Sequence, residues 1–142
     1  MRKRRTFVLL GIAFSMAVGI GCETSKNQLL ATSESQVKLR SIQTRAFDTT
    51  DKEKTLRTVI ATLQDLSFVI DEADVILGTV SATKLDKYAL RMTVTVRKRN
   101  ESQMLVRANA QFELTAVEDP EPYQQFFAAF SKAMFLTAHN VD

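Results

Sequence analysis

Two stretches of strict alternation constrain this chain more than any other feature. In YALRMTVTV, Tyr88, Leu90, Met92, Val94 and Val96 alternate with Arg91, Thr93, Thr95 and Arg97. In MLVRANAQFEL, Met104, Val106, Ala108, Ala110, Phe112 and Leu114 alternate with Leu105, Arg107, Asn109, Gln111 and Glu113. A period of two is the signature of a strand with one buried face. A three-residue loop at Arg99-Asn100-Glu101 pairs Val96 with Met104, Val94 with Val106 and Met92 with Ala108. A slip of one residue would put the two apolar sets on opposite faces, so the pattern selects an antiparallel hairpin with one wet face. That wet face carries Arg91, Arg97 and Arg107, with Lys84 nearby and Lys98 and Arg99 at the hairpin tip. Two readings of it stand: a solvated face whose charges deter edge-to-edge aggregation, or a docking surface for an acidic partner such as lipid headgroups, lipopolysaccharide, peptidoglycan or a protein.

Other elements gather around this hairpin. A short strand is expected in Leu39–Phe47. Thr50-Asp51-Lys52-Glu53 has the form of a capping box, and Leu56, Val59, Ile60, Leu63 and Leu66 follow at helical spacing. Ser67–Asp71 reads as a strand with Phe68 and Ile70 on one face, Asp71–Asp74 as a turn, and Ile76–Lys84 as the next strand, with Gly78 as a bulge. After the acidic, proline-containing segment at 118–122, a helix from Tyr123 to Ala138 carries Phe126, Phe127, Phe130, Ala133 and Met134 on a broad apolar face. Phe127 and Phe135 are the members to examine for exposure. Two amphipathic helices and one half-buried sheet predict an α+β fold. The expected architecture is a two-layer sandwich, a mostly antiparallel sheet of four to five strands with two helices on one face.

The N-terminal segment speaks to location. Arg2, Lys3, Arg4 and Arg5 precede an apolar run from Phe7 to Ile20, then Gly21 and the only cysteine, Cys22. This is the order of an export signal, and the run is shorter than the roughly 20 residues of a bilayer-spanning helix. Gly19-Ile20-Gly21-Cys22 resembles a bacterial lipobox, although Gly19 stands where leucine is usual. The resemblance implies that Cys22 is acylated and becomes the mature N-terminus, giving the several chains that stable anchoring needs, ahead of a plain cleaved signal or an uncleaved signal anchor. The expected organisation is a lipoprotein signal peptide at 1–21, a Ser/Thr-rich tether at 22–37 and one periplasmic domain at 38–142. Arg4-Arg5-Thr6-Phe7-Val8 resembles a twin-arginine signal, but the short n-region and very apolar core favour general secretion. In a Gram-negative cell, Glu23 is not the aspartate that usually retains lipoproteins in the inner membrane, which implies the periplasmic face of the cell outer membrane, ahead of inner-membrane retention or secretion.

Four of the nineteen cations and none of the sixteen anions precede Cys22, leaving fifteen against sixteen and a net charge of −1 after it. The basic character therefore belongs to the signal and is no argument for nucleic-acid binding. With one cysteine, no disulfide can form within the chain, and packing must hold the domain together.

Asp71-Glu72-Ala73-Asp74 spells the motif of the DEAD-box helicases, and Ser81-Ala82-Thr83 spells another of theirs. Those carboxylates work only beside a glycine-rich phosphate loop and its lysine. Here the glycines are Gly11, Gly19, Gly21 and Gly78, and none precedes a lysine, so a nucleotide is not expected. The acidic cluster lacks EF-hand spacing, so no metal is expected. His139 is the only histidine and has no thiol beyond Cys22 to work with, so no catalytic residues are assigned and no cofactor is expected.

Gln43-Thr44-Arg45-Ala46-Phe47-Asp48-Thr49, then Leu63-Gln64-Asp65-Leu66-Ser67-Phe68-Val69-Ile70-Asp71, then Leu77-Gly78 and Thr83-Lys84 resemble the motifs of a group of uncharacterised proteobacterial lipoproteins. Ser67 replaces their glycine. The similarity spans about residues 40 to 115 and implies no activity. The helix running into a β-meander is also similar, at fold level alone, to small domains of outer-membrane assembly lipoproteins. Together these readings predict a non-enzymatic, membrane-anchored accessory or scaffold in a cell-envelope complex, with an envelope protein as partner. The alternative is a module binding lipid or another apolar ligand between sheet and helices.

Overall fold

The computed structural model describes residues 35–86 and 88–139; the segment expected to be a signal peptide, Cys22 and the rest of the chain up to residue 34 lie outside them. The chain forms a helix over 35–43 (α1), then β1 Thr44–Phe47, α2 Lys52–Asp65, β2 Val69–Asp74, β3 Thr79–Asp86, β4 Tyr88–Lys98, β5 Met104–Phe112, β6 Thr115–Ala116 and α3 Glu121–His139. The strands make one antiparallel sheet in the order β1-β5-β4-β3-β2, with β6 pairing the end of β5. Helices α2 and α3 pack on each other and on the same sheet face. The architecture is an α+β two-layer sandwich, and its sixth strand is a two-residue element.

The alternating segments are the central pair, but their register differs from the expected one by two residues. Val96 faces Val106, Val94 faces Ala108 and Met92 faces Ala110, while Lys98 faces Met104. The loop has five residues, not three, and closes through the Arg99 amide donating to the Gln103 carbonyl at 2.9 Å. Gln103 also donates from Nε2 to Asp48 Oδ1 at 2.7 Å, which ties this loop to the one entering α2. A shift of two preserves the inward and outward parity, so alternation alone is blind to it.

Three further expectations are corrected. Residues 35–43 are helical, so the strand expected over Leu39–Phe47 is confined to Thr44–Phe47, and the helix begins within the stretch read as tether. The cap of α2 is Asp51, whose carboxylate accepts from the Lys54 amide at 2.8 Å, rather than Thr50. Asp71-Glu72-Ala73-Asp74 is not a turn but lies in β2, with a register irregularity at Asp71; the turn is Val75 to Gly78. Asp74 builds that turn: its carbonyl accepts from the Gly78 amide at 2.8 Å and its Oδ1 from the Leu77 amide at 2.8 Å. Gly78 sits at φ +76, the left-handed region that closes the turn at little cost only for glycine.

The core lies between the layers. Leu56, Val59 and Leu63 of α2 and Phe126, Phe127 and Phe130 of α3 are buried against Val80, Met92, Val94, Val106 and Ala108 of the sheet. Ile60 and Leu66 are half-buried at its margin, as the expected stripe requires. Helix α2 also buries Thr55, Thr58 and Thr62. Two of these turn their hydroxyls back on the helix, Thr55 to Asp51 O at 2.6 Å and Thr58 to Lys54 O at 2.9 Å. These back-bonds leave neither hydroxyl as an unpaired polar atom in the core.

Tyr123 fills a gap in the sheet edge. Beyond β1 and before β6, β5 has no neighbouring strand to receive the Ala110 amide, which donates instead to the buried Tyr123 hydroxyl at 3.3 Å. That hydroxyl donates to Val117 O at 2.7 Å and accepts from Gln43 Nε2 at 3.3 Å. Tyr123→Phe leaves two buried donors without an acceptor, and a loss of about 1–3 kcal/mol in unfolding free energy is expected from urea titration; an unchanged midpoint would show that the hydroxyl is dispensable.

Candidate functional site

The described helices cover one face of the sheet and leave the other open. Strand β4 turns Arg91, Thr93, Thr95 and Arg97 outward, and the register sets them against Thr83, Ser81 and Thr79 of β3 on one side. On the other side stand Gln111, Asn109, Arg107 and Leu105 of β5. The hydroxyls form a lane down the middle, with Ser81 Oγ and Thr93 Oγ1 at 3.2 Å. At the β2 edge, Thr83 Oγ1 donates to Asp71 Oδ2 at 2.7 Å, and Glu72 and Asp74 lie opposite Ser81 and Thr79. The open face thus grades from a carboxylate edge, across hydroxyls, to guanidinium groups.

The three arginines singled out from the sequence differ in availability. Arg91 and Arg97 are exposed, and among the described residues neither has an ion-pair partner. Arg107 is half-buried, and its Nη2 donates to Gln43 Oε1 at 3.3 Å, which links it through Gln43 to Tyr123. Its Nε is buried with no partner among the described residues. Arg107 is therefore tied into the sheet edge, and the freely presented cations are Arg91 and Arg97. Six residues apart on one strand, these two are about 20 Å apart at a rise of ~3.3 Å per residue. Such spacing cannot converge on one small anion. It suits an extended acidic surface.

Two ends of the sheet carry features that sequence reasoning missed. At one end, the Val75–Gly78 turn presents aliphatic side chains to solvent, with Ile76 89% exposed. Lys52 Nζ donates to the Ile76 carbonyl at 2.8 Å and holds this tip against the start of α2. At the other end, Leu114 is 95%, Leu85 83%, Tyr88 75% and Phe112 42% exposed. Tyr88 and Phe112 point to the helix side, as the alternation requires, but lie beyond what the helices cover; their rings meet edge-on with centroids 6.3 Å apart. Beside them is a notch of about 170 Å³ between the end of α2 and the start of α3, lined by Leu66, Phe68, Leu90 and Pro122, with Lys84 over the Phe68 ring at 5.9 Å. A second hollow of about 230 Å³ lies between α1 and the segment before α3, lined by Ser35, Lys38, Leu39, Ile42, Glu118 and Pro120.

Among the described residues, no three His, Cys, Asp or Glu side chains are placed to hold a metal ion, and no described helix is long and apolar enough to cross a membrane. Cys22 lies outside the described residues, as do the side chains beyond Phe135 that include His139. Phe127 is buried beneath the Arg45 guanidinium at 5.2 Å, whereas Phe135 is exposed. No protein-family model matches the chain, and no curated protein matches it.

Proposed function

We propose that this chain is a lipoprotein of the cell envelope, anchored through Cys22 at the periplasmic face of the outer membrane, whose domain acts as a non-enzymatic accessory or scaffold. The observation that carries the scaffold reading is the sheet face that the described helices leave uncovered, where Arg91 and Arg97, unpaired among the described residues, stand about 20 Å apart at the two ends of a hydroxyl lane. A partner protein with an acidic surface satisfies these groups along their whole length. The motif similarity to proteobacterial lipoproteins points the same way, and no nucleotide or nucleic acid enters this reading.

The second reading, a module for lipid or another apolar ligand, draws on the notch beside Phe68 and Lys84. At about 170 Å³ it is smaller than the roughly 300–1,000 Å³ of pockets that enclose whole small molecules. That magnitude favours the scaffold. Native mass spectrometry separates the two: a stoichiometric lipid retained on the purified protein would favour the carrier.

The anchoring half has its own test. Cys22→Ser is expected to abolish incorporation of labelled fatty acid and to move the protein out of the membrane fraction, since a single weak contact cannot replace several acyl chains. Unchanged labelling and retention would sink it.

A further inference from the structure

We propose that the apolar end formed by Leu85, Tyr88, Phe112 and Leu114 rests on a zwitterionic lipid bilayer, in the same membrane that holds the chain; the inference stands on the lipid-anchor reading above. Three observations converge on that end. The first is exposure: Tyr88 and Phe112 stand on the helix side in the row next to Leu90, Leu85 lies at the same end of the sheet on its opposite face, and Leu114 lies in the turn after β5, so that four exposed large apolar residues crowd one end, more than scattered surface residues require. The second is composition. The edge-on Tyr88–Phe112 pair sets an amphipathic ring beside a wholly apolar one, the arrangement that suits the headgroup boundary.

The third is where the chain arrives. Ser35 and the first turns of α1 lie against Glu118 and Pro120, immediately before Glu121 and Pro122, which line the notch. Twelve residues separate Cys22 from Ser35, and the thirteen steps between the two span about 45 Å at most even when fully extended. An acylated Cys22 therefore joins the domain from this end and holds it within tether reach of the bilayer, and a contact too weak to bind from solution is populated because the tether makes it intramolecular.

Charge decides the lipid class. Among the described side chains at this end, Lys84 and Arg91 stand against Glu113 and Glu121, with no excess of cations to attract an anionic surface. The contact is one of apolar area and the aromatic pair.

The chain contains no tryptophan, so a single introduced indole reports its own position. Full-length acylated protein carrying Tyr88→Trp is reconstituted in phosphatidylcholine vesicles containing brominated lipid, beside a second sample carrying Ile76→Trp at the opposite end. The Tyr88→Trp indole is expected to be quenched roughly twofold or more, as for a ring seated ~5–10 Å into the headgroup boundary, and the Ile76→Trp indole to remain unquenched. Adding Leu85→Asp and Leu114→Asp to the Tyr88→Trp protein is expected to abolish the quenching while the protein stays on the vesicles.

Equal quenching at both positions on vesicle-bound protein would overturn the proposal and leave the anchor intact. So would a blue-shifted Tyr88→Trp emission without bromolipid quenching, which marks a protein contact, or a requirement for anionic lipid. Protein that leaves the vesicles would overturn the anchor reading and the proposal together.

Discussion

Phe130→Ala is expected to remove about 3–5 kcal/mol of unfolding free energy, the range for a large aromatic truncated in a packed core. Phe130 is fully buried, stacked on Phe126 with ring centroids 5.7 Å apart, and met edge-on by Phe47 at 4.8 Å. It thus joins α3 to β1, at the edge of the sheet, as well as filling the layer between helices and strands. With no disulfide possible within the chain, nothing covalent offsets such a loss, and ~3–5 kcal/mol is a large share of the ~5–15 kcal/mol typical of a domain. Urea titration followed by circular dichroism measures it; a loss under about 1 kcal/mol would mean that the site collapses around the smaller side chain.

Gly78→Ala is expected to cost about 2–4 kcal/mol, although it adds a single methyl group. At φ +76 an L side chain is strained, and a Cβ there meets the Val96 carbonyl oxygen and, at 2.7 Å, the Lys52 side chain. Lysine can swing aside. The Val96 carbonyl is backbone in the central strand and can move only by disturbing the sheet. Val96 also donates its amide to the Gly78 carbonyl at 2.7 Å, so the strain falls where β4 is fastened to the turn. Hydrogen exchange at the Val96 amide separates this account from general destabilisation. Protection there is expected to drop more than at Val106, and equal loss at both would argue against it.

Much of the fold was legible because the period-two alternation in β4 and β5 reports parity directly, as the Leu56-Val59-Leu63 spacing reports a helix. Register was not, because a two-residue shift conserves parity and the five-residue loop is fixed by contacts to Gln103 and Asp48 that no local pattern displays. The β2–β3 turn was misplaced because Val75, Ile76 and Leu77 look like strand and the preceding carboxylates look like turn. The pairing of Asp74 with Gly78 four residues later was the true signal, and it was outweighed by hydrophobicity.

The candidate site divides in the same way. The outward direction of Arg91, Arg97 and Arg107 followed from alternation, but whether each is free did not. Arg107 is held by Gln43, sixty-four positions away in sequence. Alternation likewise placed Tyr88 and Phe112 on the helix side, yet it carries no information about how far the helices reach, and these residues lie past that limit.

The claim that the domain works through its open sheet face is tested most directly by a photo-crosslinking residue at Thr93 in intact cells, compared with one at Arg57 on the exposed side of α2. Thr93 is expected to trap one defined envelope protein, and Arg91→Glu with Arg97→Glu to abolish that adduct, while Arg57 traps none. No discrete adduct from Thr93, or the same adduct from Arg57, would contradict it.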